Sequence, residues 1–254
     1  MENSEKKHKR VFGLLGKDIS YSFSRGYFSE KFQKENLENC EYTNFDLPKI
    51  DDFPTHVNKY KDNISGINVT IPYKEKVIPF LDEIDIEAKE IGAVNTIKIL
   101  KNNKLKGFNT DIYGFLNAIK PLLKNHHKKA LILGTGGASK AVAFAFKKLN
   151  IPFLLVSRNP KDKTQISYNQ ITENVLKEFS ILVNCSPVGT FPNVEISPNI
   201  PYQFISKEHL LFDLIYNPSE TAFLSEGKKR GATIKNGYEM LELQAEKSWE
   251  IWNS

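Results

Sequence analysis

The sequence predicts an α/β fold in two domains, the second of them doubly wound around a parallel sheet. Three observations predict it. Short apolar runs alternate with helical patterns along the chain, as strands do when helices cover both faces of a sheet. A glycine-rich turn, Gly134-Thr135-Gly136-Gly137-Ala138-Ser139, follows one such run and opens a helix. The 254 residues suffice for one large core or two modest ones.

The elements follow in order. Residues 1–10 form a polar leader carrying Lys6, Lys7, Lys9 and Arg10, expected to be disordered. A first domain over 11–108 begins with a strand near Arg10 to Leu15, a polar loop, and a helix from about Arg25 to Asn36. Cys40 to Phe45 reads as a second strand, Phe53 to Tyr60 as a short helix, and a third strand ends at Thr70. Residues 75–91 are helical in pattern, and Val94 to Leu100 is a strand. Asn102-Asn103 signals a turn, from which Leu105 to Phe108 returns. A second domain over 109–237 opens with a crossover helix, about Asp111 to Leu123, which Asn109 or Thr110 can cap. Its strands are Lys129–Leu133, Phe153–Val156, Ile181–Val183, Leu211–Ile215 and Ala232–Ile234. A last helix over 238–254 shows Leu241, Ala245, Ser248, Trp249 and Trp252 on one face.

Composition narrows the function. Hydrophobic residues make up 40% and charged residues 26%, ordinary for a soluble globular protein. Net charge is +5, with four of the cations in the leader, and the mildly basic remainder suits small anions better than nucleic acid. No basic stripe interleaved with aromatics is present. No apolar run spans a bilayer, and the leader lacks the apolar core of a secretory signal, so the expected compartment is the cytoplasm. Two cysteines, Cys40 and Cys185, provide neither a disulfide framework nor metal spacing, and no metal is expected.

Two segments carry chemistry. Asn68-Val69-Thr70-Ile71-Pro72-Tyr73-Lys74 ends a strand with two polar residues on one face, then a proline that cannot continue a ladder. Lys74 is thereby delivered at a strand end, where α/β folds place active groups. Taken alone, a turn lysine is more often a solvated charge. The second segment is the glycine turn. It lies between the strand 129–133 and a helix with Val142, Ala145, Phe146 and Leu149 at i, i+3, i+4 and i+7, and Phe153–Val156 follows. This is the first βαβ unit of a Rossmann-like domain, in which Gly134, Gly136, Gly137 and Ala138 let backbone approach a pyrophosphate at a helix N-terminus. Ser157-Arg158 stands at the end of the next strand, where an acid would bind a ribose hydroxyl. Arginine suits a 2′-phosphate, so NADP is favoured over NAD.

These segments, with Ser22-Phe23-Ser24, Gly92-Ala93-Val94-Asn95-Thr96, Asn109-Thr110-Asp111, Asn184 to Gly189, Asp213 to Pro218, and Gly237 to Leu241 with Gln244, stand in the order of one family. From about Phe12 to Gln244 the chain resembles shikimate dehydrogenase, which reduces 3-dehydroshikimate with NADPH. The resemblance implies a substrate domain and an NADP-binding domain with a cleft between them, closed by the last helix. It implies Lys74 as proton donor to the C3 oxygen, and as base in the reverse direction, with Asp111 beside it. Ser22 and Ser24, two apart in an extended loop, would hold the substrate carboxylate. Asn68, Thr70, Asn95 and Asp111 would serve the ring, and Tyr216 and Gln244 would reach the substrate as well. Asn184 and Gly237 would line the cofactor site. Asp162 departs from the family, which often has an arginine there; Lys161 and Lys163 flank it. The implied partners are shikimate and 3-dehydroshikimate, with no nucleic acid and no membrane, in a monomer or homodimer. Two alternatives stand beside this reading: a quinate/shikimate dehydrogenase using NAD, and a non-catalytic NADP-binding sensor.

Overall fold

The computed structural model describes residues 8–20 and 22–254; residues 1–7, most of the basic leader, and Tyr21 lie outside the described residues. The chain divides into two compact units, one running to Thr110 and including Ala245–Ser254, the other Asp111–Gln244. The first division falls two residues beyond the predicted one. The second falls inside the last helix.

The first unit is built on a six-stranded mixed sheet. Its elements are β1 (Arg10–Gly16), α1 (Phe23–Lys34), β2 (Cys40–Asp46), α2 (Phe53–Lys59), β3 (Ile64–Val69), β4 (Glu83–Ile84), α3 (Ile86–Ile91), β5 (Thr96–Ile99) and β6 (Leu105–Phe108). The strand order is β2-β1-β3-β5-β6-β4. β2, β1 and β3 run parallel, and β5 and β6 form an antiparallel hairpin on β3. That hairpin turns through Asn102 and Asn103, both at positive φ, which asparagine tolerates better than most residues.

Alternation along β1 divides the core. Val11 and Leu15 join Phe45, Ile67, Val69 and Ile97 on one face, while Phe12 and Leu14 join Phe28, Phe32 and Tyr42 on the other. Ala245 and Trp252 complete the second cluster, and Trp252 Nε1 donates to Ile97 O at 3.0 Å.

The predicted helix over 75–91 is broken in the structure. Pro79 interrupts it in a short 3-10 turn, Ile78–Phe80. Beyond it the backbone leaves the helix to pair with β6, where Asp82 N donates to Leu105 O and Asp85 N to Gly107 O. Asp85 then caps α3 by accepting from Glu87 N at 3.0 Å, and Gly92 closes that helix in the left-handed conformation. Strand pairing outweighed helical periodicity over these residues.

The second unit contains α4 (Asp111–Ile119), β7 (Ala130–Leu133), α5 (Gly137–Lys148), β8 (Phe153–Ser157), β9 (Gln165–Ser167), α6 (Glu173–Glu178), β10 (Ile181–Asn184), β11 (Leu210–Asp213), α7 (Ala222–Lys228), β12 (Thr233–Lys235) and the start of α8 (Tyr238–Asn253). All six strands are parallel, in the order β12-β11-β10-β7-β8-β9. Leu131, Leu133, Leu182 and Leu211 pack with Leu176 and Phe223 on one face. Phe115 meets Phe146 and Phe212 edge-on, giving α4 and α5 their core contact. The strand order reverses at β7, whose neighbours are β8 on one side and β10 on the other.

Candidate functional site

In the first unit the polar end of β3 continues into a closed turn. Thr70 N still donates to Leu15 O, then Tyr73 N donates to Thr70 O at 2.8 Å and Val77 N to Tyr73 O at 2.9 Å. Tyr73 is buried, and its hydroxyl donates to Leu47 O at 2.6 Å. The Lys74 carbonyl accepts from Val94 N at 2.7 Å, so the backbone on both sides of this half-buried lysine is anchored. Thr70, also half-buried, stands four residues before it.

Asn68 and Asn95 lie behind this turn, both buried. Asn68 Oδ1 accepts from Tyr42 Oη at 2.8 Å, and its Nδ2 donates to Ser248 Oγ at 3.0 Å. Asn95 Oδ1 accepts from Thr110 N at 2.7 Å, while its Nδ2 donates to Thr110 Oγ1 at 3.0 Å. Ser24 joins this network through a hydrogen bond with the Tyr42 phenol, whose pKa full burial raises. Ser22 is extended, but the predicted extended loop ends there, because Phe23 and Ser24 already belong to α1. Ser22 is the N-cap of α1 and accepts from Ser24 N at 3.3 Å, and Ser24 sits in the first turn. A serine two residues before another at a helix start satisfies an orphan N–H, which extended backbone would leave unused.

In the second unit the predicted cofactor residues gather at the carboxyl ends of adjacent strands. Gly134 follows β7 at φ +115, a conformation few other residues adopt, and its N donates to Val156 O on β8. Across the reversal of strand order its absent Cβ would stand 3.3 Å from the backbone of Cys185 and Ser186. Gly136 is the N-cap of α5, with nothing within 4 Å of where its Cβ would lie, and Gly137 and Ala138 begin the helix. Open backbone at a helix N-terminus fits the pyrophosphate of a dinucleotide. Ser157 ends β8 and accepts from Asn159 N at 3.2 Å, leaving Arg158 exposed at the strand end, as a phosphate reader would be. Asp162 is turned onto Thr164, accepting from its N at 2.8 Å and from its hydroxyl.

Asn184, at the end of β10, is fully buried. Its Nδ2 donates to Val188 O and to Asp213 Oδ1, while its Oδ1 accepts from Ser186 N and Oγ. It pins the 184–189 loop through both ends of its amide. Tyr216 lies half-buried in the turn after β11. Gly237 N donates to Ile215 O, and a Cβ there would lie 2.1 Å from Leu214 O, so only glycine fits. Asp111 is a buried acid at the first position of α4, and Gln244 in α8 bonds Leu241 O through Nε2 at 2.9 Å.

Sequence reasoning missed three residues that hold this arrangement. Asp213, at the end of β11, is fully buried and accepts from Asn184, Ile215 N and Thr221 Oγ1. Burial outweighs these donors and pushes its pKa up to about 6. Tyr42 and Ser248 both bond Asn68, and Ser248 also contacts Thr110, which bonds Asn95. An acid inside an otherwise apolar strand, Leu210-Leu211-Phe212-Asp213, was the one available signal.

Residues 14–97 match the shikimate dehydrogenase substrate binding domain family. A shikimate dehydrogenase (NADP(+)) from Methanosphaera stadtmanae is 37% identical over 259 residues, covering 95% of this chain and 90% of the relative. Shikimate dehydrogenase 1 from Peptoclostridium difficile, a crystal structure, is 38% identical with a TM-score of 0.80, covering 96% of this chain and 91% of that one. Shikimate 5-dehydrogenase from Thermus thermophilus, solved in complex with NADP(H) and shikimate, is 30% identical with a TM-score of 0.83, over 96% and 93% of the two chains.

Proposed function

The chain belongs to the shikimate dehydrogenase family, and from that premise we propose that it catalyses the reversible, NADPH-dependent reduction of 3-dehydroshikimate to shikimate. The anchored turn that holds half-buried Lys74, its carbonyl bonded to Val94 N next to buried Asn95, carries the reading. Ketone reduction needs a proton donor held still at the carbonyl oxygen. Lys74 donates its proton to the C3 oxygen and takes it back in the oxidation direction, with Asp111 assigned to the same proton transfer.

When bound, NADPH supplies the hydride. Gly136, Gly137 and Ala138 would hold its pyrophosphate on backbone N–H groups, and Arg158 its 2′-phosphate. Ser22 and Ser24 face the substrate carboxylate. Thr70 and Asn95 bond the ring hydroxyls, with Asn68 supporting Asn95 through its backbone oxygen. Tyr216 and Gln244 complete the set.

The test follows absorbance of reduced nicotinamide with shikimate and either NADP+ or NAD+. NADP+ is expected to be reduced much faster, and Lys74→Ala to lower kcat by about 10²- to 10⁴-fold, the worth of a positioned acid–base group. Undiminished turnover by Lys74→Ala would remove the mechanism. Equal rates with both cofactors would remove the role of Arg158.

A further inference from the structure

Three hydroxyls meet in the interior of the first unit. Thr96 Oγ1 lies 2.8 Å from Ser248 Oγ, Thr110 Oγ1 lies 3.1 Å from Ser248 Oγ, and the two threonines are 3.2 Å apart. All three residues are buried. Both site asparagines dock on this triangle. Asn68 Nδ2 donates to Ser248 Oγ and Thr96 Oγ1, and Asn95 Nδ2 donates to Thr110 Oγ1.

Backbone groups fix the direction of the asparagine bonds, while in each hydroxyl pair either oxygen can donate. A backbone N–H only donates, so Thr110 N holds Asn95 Oδ1 on its side of the amide. A backbone carbonyl only accepts, so Asn95 O draws Asn68 Nδ2, and Asn68 Oδ1 turns to the Tyr42 hydroxyl. Both amides therefore have a polarity set by protein groups. Thr110 Oγ1, accepting from Asn95, passes its own hydrogen onward, and Ser248 Oγ is one of the acceptors within reach. Ser248 is drawn from far along the chain, 138 residues from Thr110 and 180 from Asn68. A triangle of alanine and valine side chains would pack here without desolvating three hydroxyls, but it would take from both amides the hydroxyl acceptors of their Nδ2 groups.

We propose that Ser248 is a positioning residue for substrate recognition: through Thr110 and Asn68 it holds Asn95 in the orientation that meets the ring hydroxyls. This rests on the function proposed above, in which Asn95 touches those hydroxyls.

The experiment compares wild type, Ser248→Ala, Asn95→Ala and the double variant. It measures the shikimate Kd by calorimetry, KM for shikimate and for NADP+, and Tm. Ser248→Ala is expected to weaken shikimate about tenfold in Kd and KM, the scale of one lost hydrogen bond, with KM for NADP+ within about twofold of wild type. In the Asn95→Ala background it should weaken shikimate no further. A lowered Tm with unchanged shikimate Kd overturns the proposal, because the hydroxyl would then serve stability alone. Effects that multiply in the double variant overturn it too. If Ser248→Ala does not fold, Thr96→Val removes another corner at nearly constant shape, and the same weakening and the same loss of additivity are required of it. A wild-type protein that turns over no shikimate refutes the assigned function, and this proposal with it. Turnover by wild type with insensitivity to Ser248→Ala refutes only the proposal.

Discussion

Asp213→Asn isolates one buried charge. The carboxylate of Asp213 accepts from Asn184 Nδ2 at 3.0 Å, Ile215 N at 3.0 Å and Thr221 Oγ1 at 2.6 Å, yet burial raises its pKa from 3.8 to about 6. The folded protein thus binds this proton more tightly than the unfolded chain does. The resulting stabilisation is complete below pH 3.8 and is lost as pH rises through about 6. At about 1.4 kcal/mol for each tenfold change in proton affinity, ionisation in the fold costs about 3 kcal/mol. Asparagine cannot ionise. Its oxygen can still accept from Asn184 and Ile215, and Thr221 can rotate its hydroxyl to accept from the new amide. Wild type should therefore lose most of that stabilisation relative to Asp213→Asn between about pH 4 and pH 7, roughly half of the loss falling above pH 5.

Urea titrations of both proteins across that interval measure the difference, provided their m-values agree. His127 and His209, whose pKa values burial lowers, destabilise the fold as pH falls, but they are common to both proteins and cancel. A stability difference that stays level with pH, or that shifts in favour of wild type as pH rises, would refute the reasoning.

Two further substitutions test the second unit. Gly237→Ala places a methyl 2.1 Å from Leu214 O, where only backbone could give way; a loss of about 3 kcal/mol is expected in urea unfolding, and a loss under about 1 kcal/mol would show that the loop yields. Arg158→Ala should raise KM for NADP+ by about 10- to 100-fold, the worth of a charge-assisted hydrogen bond, with KM for NAD+ nearly unchanged. Equal effects on both cofactors would assign Arg158 to something other than the 2′-phosphate.

The parallel sheet of the second unit was legible because its central strands are short, apolar and separated by turn residues, so β7, β8 and β10 lie within a residue or two of their predicted limits. Its edge was not. β9 is three half-exposed residues, and nothing in Gln165-Ile166-Ser167 distinguishes it from a loop. In the first unit the same logic failed over 75–91, where an apolar pattern compatible with a helix was divided by pairing with β6, more than twenty residues later. The serine segment shows a local version of that failure. The Ser22-Phe23-Ser24 spacing suits an extended loop as well as an N-cap, and the helix began two residues earlier than its apolar pattern indicated.

The asparagines define the limit more sharply. Asn68, Asn95 and Asn184 each stand at or near a strand end, and by sequence alone each reads equally as a group for a ligand. In the fold they differ in what surrounds them. Asn184 spends its whole amide on the 186–188 turn and on Asp213, 29 residues away, so it shapes the loop beside the glycine turn. Asn68 spends its amide on Tyr42, Thr96 and Ser248, so it braces the strand that begins just after Asn95. The distinction between touching a ligand and holding the residue that does so is made by partners distant in sequence. Residue type and strand position can nominate both kinds, but only the three-dimensional hydrogen-bond directions separate them. For that reason Asp213 and Ser248, which no ligand-centred reading selects, are where substitution should be most informative: each is fully buried and each accepts a hydrogen bond from an asparagine amide.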